Sequence, residues 1–168
     1  MIPAYRQRNF LQSALYVAIA GVLAAVLLER LLTYAEVAEK AAMDATVSRL
    51  NSALYAQLAL HVLRGEYDAI EALPRQSPFV TADVRSSNYL GEFDGASPEG
   101  AEAGKWFYDR VHRELVYVPN LKRYFSSASG EQALPLMRFR IELKKASKDA
   151  YTGIAITPVN DVRWDPAP

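Results

Sequence analysis

Cysteine is absent from all 168 residues, which excludes disulfides, thiolate metal sites, iron–sulfur clusters and cysteine nucleophiles. That absence leaves an extracytoplasmic location open, because a domain with an adequate core does without disulfides. Histidine is scarce. His61 and His112 stand apart without metal-ligand spacing, and read as a helix-end packing residue and a turn residue. No His-Glu-x-x-His, Gly-x-Ser-x-Gly or glycine-rich phosphate loop occurs, so the expectation is a protein that is not an enzyme and needs no cofactor. An excess of charge is also missing, with 19 basic and 19 acidic residues. Nucleic-acid binders normally carry a concentrated basic field, and this chain has none. Finally, no proline falls between Pro3 and Pro74, and Gly21 and Gly65 are the only glycines in that interval. Little there can break a helix.

What fills the gap is an apolar run. Phe10 to Leu28 contains no charge, and its clearly polar side chains, Gln12 and Ser13, lie at its start. As a helix it measures about 28 Å, close to the hydrocarbon thickness of a bilayer. A single segment crosses lipid only as a helix, since its backbone groups must be satisfied internally. Residues 10–28 therefore read as one transmembrane helix. Arg6 and Arg8 precede it, whereas Glu29 and Arg30 cancel just after it, so the tail 1–9 is expected in the cytoplasm and the rest outside. A cleaved signal is the rival reading, but the small-residue site Ala18-Ile19-Ala20 lies inside the apolar run.

Beyond the membrane the helix is expected to continue over 29–64. Val47, Leu50, Leu54, Leu58 and Val62 recur every three or four residues, an apolar face suited to packing on a globular head. Gly65 stands where a left-handed cap is wanted. Residues 65–104 read as a connecting region punctuated by Pro78, Gly91, Gly95, Pro98, Gly100 and Gly104, with a short helix over Glu66–Leu73 ended by Pro74. From 105 to 168 the period is two. Trp106, Phe107 and Tyr108, then Leu115 to Val118 with Tyr117, read as an aromatic hairpin; Leu136–Lys145 alternates apolar and charged; Gly153–Val159 offers a further strand; Trp164–Pro168 reads as a loose tail. The fold class is α+β, a long helix on a small antiparallel sheet.

This order resembles the type IV pilins and type II secretion pseudopilins. Asn88-Tyr-Leu-Gly-Glu, Gly104-Lys-Trp-Phe-Tyr-Asp109 and Leu115-Val-Tyr-Val-Pro-Asn120 are similar to stretches of minor pilin-like biogenesis proteins of mannose-sensitive haemagglutinin (MSHA) pili. The resemblance implies a single-pass protein of the bacterial inner membrane with a periplasmic head. Its implied partners are other pilin or pseudopilin subunits and inner-membrane assembly proteins. The chain departs from the family at the processing site. Asn9 stands where a glycine precedes the phenylalanine, and Ala14 stands where the family has a glutamate four residues after it. Leu31 occupies the region of the family's helix proline. The leader is therefore expected to stay on, which suits an assembly or initiation component better than a bulk filament subunit.

Candidate sites follow. Ala14, Ala18, Gly21 and Ala25 would let another transmembrane helix approach closely, or are simply the small residues of an anchor. Glu92, Asp94, Glu99 and Glu102 are hard oxygen donors in a glycine-rich loop, comparable to the calcium region of major pseudopilins, but they lack ordered spacing and equally describe a solvated acidic loop. Leu121-Lys-Arg-Tyr-Phe125 mixes cations with aromatics, a platform for single-stranded nucleic acid or a strand edge with extended cationic side chains. A periplasmic ligand- or DNA-binding module on the same anchor is the other functional reading. Its nine-residue tail, Met1 to Asn9, leaves no room for a cytoplasmic signalling domain.

Overall fold

In the computed structural model the chain is described over residues 4–95, 102–127, 136–147, 150–159 and 162–166. Helix α1 runs unbroken over Ala4–Arg64, 61 residues or about 92 Å of helix. Its apolar part is long enough and apolar enough to cross a membrane, and that part is not buried against the rest of the protein. Gly65 ends it with φ +70°. Its N–H donates to the Val62 carbonyl, and that of Glu66 to the His61 carbonyl, the paired reverse bonds of a glycine cap.

Up to residue 95, the segment expected as a connecting region is structured. It carries helix α2 (Tyr67–Ala72), a 3-10 turn (Leu73–Arg75) begun around Pro74, helix α3 (Pro78–Thr81) and strand β1 (Tyr89–Phe93). Ile70, Leu73 and Phe79 are buried in the core, which is why short helices form in a stretch rich in breakers. Six more strands follow: β2 (Lys105–Asp109), β3 (Glu114–Val118), β4 (Phe125–Ser127), β5 (Met137–Ser147), β6 (Ala150–Pro158) and β7 (Val162–Trp164). The main sheet has the order β1-β2-β3-β5-β6, and β4 pairs with β7 in a separate ribbon. The sheet is mostly antiparallel, with one exception to the sequence expectation: β1 runs parallel to β2. Parallel neighbours cannot be the two arms of a tight hairpin, so β1 and β2 do not form one.

Alternation settles the faces. Trp106, Tyr108, Leu115, Tyr117, Met137, Phe139 and Ile141 point toward α1 and form one core with Met43, Leu50, Leu54 and Leu58. Val47 packs partly against it, but Val62 does not; it is exposed, because α1 has by then passed the edge of the sheet's apolar face. The opposite face carries a smaller cluster of Phe107, Val116, Val118 and Leu136, so β3 is buried on both sides. Arg140, Glu142 and Lys144 of β5 remain exposed. Strand β6 lies directly against the helix: the Ile156 N–H donates to Asn51 Oδ1 at 2.7 Å, and a Cβ on Gly153 would touch the Tyr55 ring.

Leu54 is fully buried, so Leu54→Ala should destabilise the head by about 2–5 kcal/mol. Val62→Ala should change stability by no more than about 0.5 kcal/mol. Denaturant unfolding of the full chain in detergent, followed by tryptophan fluorescence, checks both.

Candidate functional site: a bare helix and a carboxylate clamp

From Gln12 to Leu32 every described residue of α1 is exposed, including Leu15, Ile19, Val22, Leu23, Val26 and Leu31. A run of exposed aliphatic side chains on this scale calls for an apolar environment. Ala14, Ala18, Gly21 and Ala25 lie within it, exposed, and a Cβ on Gly21 would meet nothing within 4 Å. No other element covers this half of the helix among the described residues.

The change comes abruptly at Thr33, the first buried residue of α1 among those whose burial is described. Thr33, Glu36 and Glu39 follow one another at three-residue steps on the same side of the helix, and that side faces the segment after β3. Glu39 is the main acceptor. Its Oε1 takes the Tyr117 hydroxyl at 2.9 Å, the Asn120 backbone N–H at 2.6 Å and the Asn120 side-chain amide at 3.2 Å, while Oε2 takes the Leu121 N–H at 3.2 Å. Glu36 is 1% exposed; its Oε1 accepts from the Trp164 indole at 2.8 Å and from the Tyr124 N–H at 3.1 Å. Thr33 Oγ1 lies 3.3 Å from the Tyr124 hydroxyl, and Arg123 reaches Glu29 at 3.4 Å.

The chemistry explains why carboxylates occupy these positions. Residues 119–124 form no strand, so their inward N–H groups need acceptors, and an ionised carboxylate accepts several bonds at once. Burial, and then the hydrogen bond to Glu39, raise the Tyr117 pKa, so its hydroxyl stays protonated and donates. Gly104 belongs to the same arrangement: its φ is +77°, and a Cβ there would sit 2.5 Å from the Asn120 amide that serves Glu39. Accepting six hydrogen bonds between them, the two glutamates act as anchors, holding the base of the head against the helix one turn past its bare half.

The tail expectation needs correction. Trp164 is buried at 3%, pairs with Phe125 across the β4–β7 ribbon and stacks on Tyr117. Burial of the large apolar ring draws this end of the chain into the core, and the Glu36 carboxylate satisfies the indole N–H that is thereby taken from water. Glu36 and Glu39 are not among the expected sites, and Tyr124 is expected in a nucleic-acid platform; the available signal is two acids and a threonine at three-residue steps on a face that otherwise turns apolar at Met43.

The remaining candidates are dispersed. Trp106 and Tyr117 form a tilted aromatic pair at 4.7 Å in the main core, whereas Phe107 belongs to the opposite face. The Tyr108 hydroxyl is buried without a hydrogen-bond partner among the described residues, and burial, then the Glu92 charge, push its pKa up to about 12. Glu92 is exposed on β1, Asp94 is paired with Arg110 at 2.6 Å, and Glu102 lies 3.9 Å from Lys105. Glu99 lies outside the described residues. Among the described residues no three acidic or histidine side chains converge as a metal site would require. His61 contacts Glu66 at 2.7 Å beyond the helix end.

His112 sits in the β2–β3 turn, 2.6 Å from Asp109, beside a second set of pairs in which Arg138 and Arg140 meet Glu114 at 3.1 and 2.6 Å. Burial pushes the Asp109 carboxyl up, but the His112 ring and the N–H groups of His112 and Val111 outweigh it and hold Asp109 below its usual range.

Glu36→Ala should cost about 1–3 kcal/mol, since it strands the Trp164 indole and the Tyr124 N–H in a buried position. Glu29→Ala, which removes only a long contact to a half-exposed arginine, should cost less than about 1 kcal/mol. The same unfolding assay separates them. A carboxyl depressed by folding contributes stability above its unfolded value, about 3.9, and that contribution is lost as pH falls through the folded value. Asp109→Asn should therefore weaken the head at neutral pH and flatten the acid end of its stability curve, measured by the denaturation midpoint between neutral and strongly acidic pH.

No protein-family model, no curated protein and no solved structure matches this chain.

Proposed function

We propose that this chain is a non-enzymatic, pilin-like membrane protein that takes part in assembling a type IV pilus of the MSHA type. The observation that carries the reading is the division of one unbroken helix. Residues 12–32 of α1 are exposed, and uncharged as far as Leu28, whereas from Thr33 onward the same helix is docked on a small, mostly antiparallel sheet. A rigid rod with an apolar half and a globular half suits lateral association in a bilayer, where helices meet through packing and not through a hydrophobic drive. Arg6 and Arg8, ahead of the apolar run, favour a cytoplasmic N-terminal side and a periplasmic head in the inner membrane. Ala14, Ala18, Gly21 and Ala25 are the surface through which partner helices approach. A pseudopilus component of type II secretion has the same architecture and is the alternative within this reading.

The test is co-purification from the native membrane. The wild-type chain should bring down pilin-type subunits, and the double substitution Ala18→Leu with Gly21→Leu should abolish that association while leaving the head folded. Retained association in the double variant would remove the helix face from the proposal, and a wild-type chain that captures no pilin subunit would remove the proposal itself.

A further inference from the structure

Resting on the transmembrane reading of α1, we infer that the base of the head is a basic collar that binds the phosphate headgroups of anionic lipids. The collar consists of Arg30 on the helix and Lys122 and Arg123 on the segment after β3. All three are exposed.

Their level follows from the clamp. The apolar run ends at Leu28, and Arg30 stands two residues later, about 3 Å along the axis. Lys122 and Arg123 come from far along the chain, yet Arg123 lies 3.4 Å from Glu29, and the next residue reaches Thr33. Both contacts fall within about one and a half turns of the end of the run. A bilayer's polar zone is about 5–7 Å deep on each side of its hydrocarbon core. When residues 10–28 fill that core, Glu29 to Thr33 cross the polar zone and carry the collar with them. Tyr34, 59% exposed, stands at the same edge, where interfacial aromatics concentrate.

Charge and geometry favour lipid. Glu29 is the one acid paired with the collar among the described residues, and the neighbouring Arg163 and Asp165 offset each other, so three cations face one carboxylate. The same segment suggested a nucleic-acid platform from its sequence, but its aromatics are committed. Tyr124 and Phe125 pack against the core, the Tyr124 hydroxyl faces Thr33, and Phe125 pairs with Trp164. Neither ring of the segment is free for bases to stack on, which leaves Tyr34 as the exposed ring at this edge, while the cations point outward and need only phosphate.

Trypsin reads the collar directly, because it cleaves after Lys122 and Arg123. The full-length protein is reconstituted into vesicles of phosphatidylcholine alone and of equimolar phosphatidylcholine and phosphatidylglycerol, and co-flotation confirms insertion in each. Cleavage after Arg85, in the loop before β1, serves as the internal reference. Relative to it, cleavage at Lys122 and Arg123 should slow about 20-fold in the anionic vesicles. The protection should vanish in about 1 M salt, where the Debye length is about 3 Å. Arg30→Gln, which keeps both scissile bonds, should lose most of the protection. Equal cleavage in the two vesicle types, with flotation in both, would overturn the collar and leave the membrane helix standing. Failure to float with either would overturn the transmembrane reading and the collar with it. Equally strong protection of detergent-solubilised protein by a single-stranded oligonucleotide would assign the cations to nucleic acid and overturn the lipid assignment.

Discussion

Glu36 and Glu39 lie one turn apart on α1 and between them accept six hydrogen bonds from groups that no strand satisfies: the Tyr117 hydroxyl, the N–H groups of Asn120, Leu121 and Tyr124, the Asn120 amide and the Trp164 indole. The rest of the molecule depends on this junction. Above it, Leu50, Leu54 and Leu58 glue the helix to the sheet by burial, which is strong but has little directional preference. The carboxylates add direction. They fix the height at which the head stops, one turn beyond the bare half of the helix.

That height is what gives the bare half its meaning. A head that slid toward the N-terminus would cover part of 12–32, and one held farther away would leave polar helix between the two parts. With the clamp engaged, the change from exposed aliphatic side chains to a docked face happens between Leu32 and Thr33. The basic residues that follow are placed at the same boundary by the same bonds. The lateral association and the lipid contact we propose thus share one mechanical origin, although they use different surfaces of the protein.

Elsewhere the sheet relies on paired charge. Asp109 and Glu114 are almost fully buried, and each is matched: Asp109 by His112 and two backbone N–H groups, Glu114 by Arg138 and Arg140. Removing one partner of such a set leaves an uncompensated charge, which costs more than the set itself contributes. These residues therefore pin the β2–β3 turn and the start of β5 in register.

The sequence by itself determined what local periodicity can carry. The absence of proline between Pro3 and Pro74, the uncharged run 10–28 and the stripe Leu50-Leu54-Leu58 specify α1; aromatic and β-branched runs specify β2 and β3, and period-two alternation specifies β5, because neighbouring residues alone carry those signals. Only the tertiary structure decided that β1 joins β2 in parallel, that Val62 stays outside, and that Trp164 turns inward. It alone also selected Glu36 and Glu39 from the acids of the helix. The reason is distance along the chain. The donors that these two carboxylates need lie 78 to 128 residues away, so nothing near them in sequence distinguishes an anchor from a solvated charge.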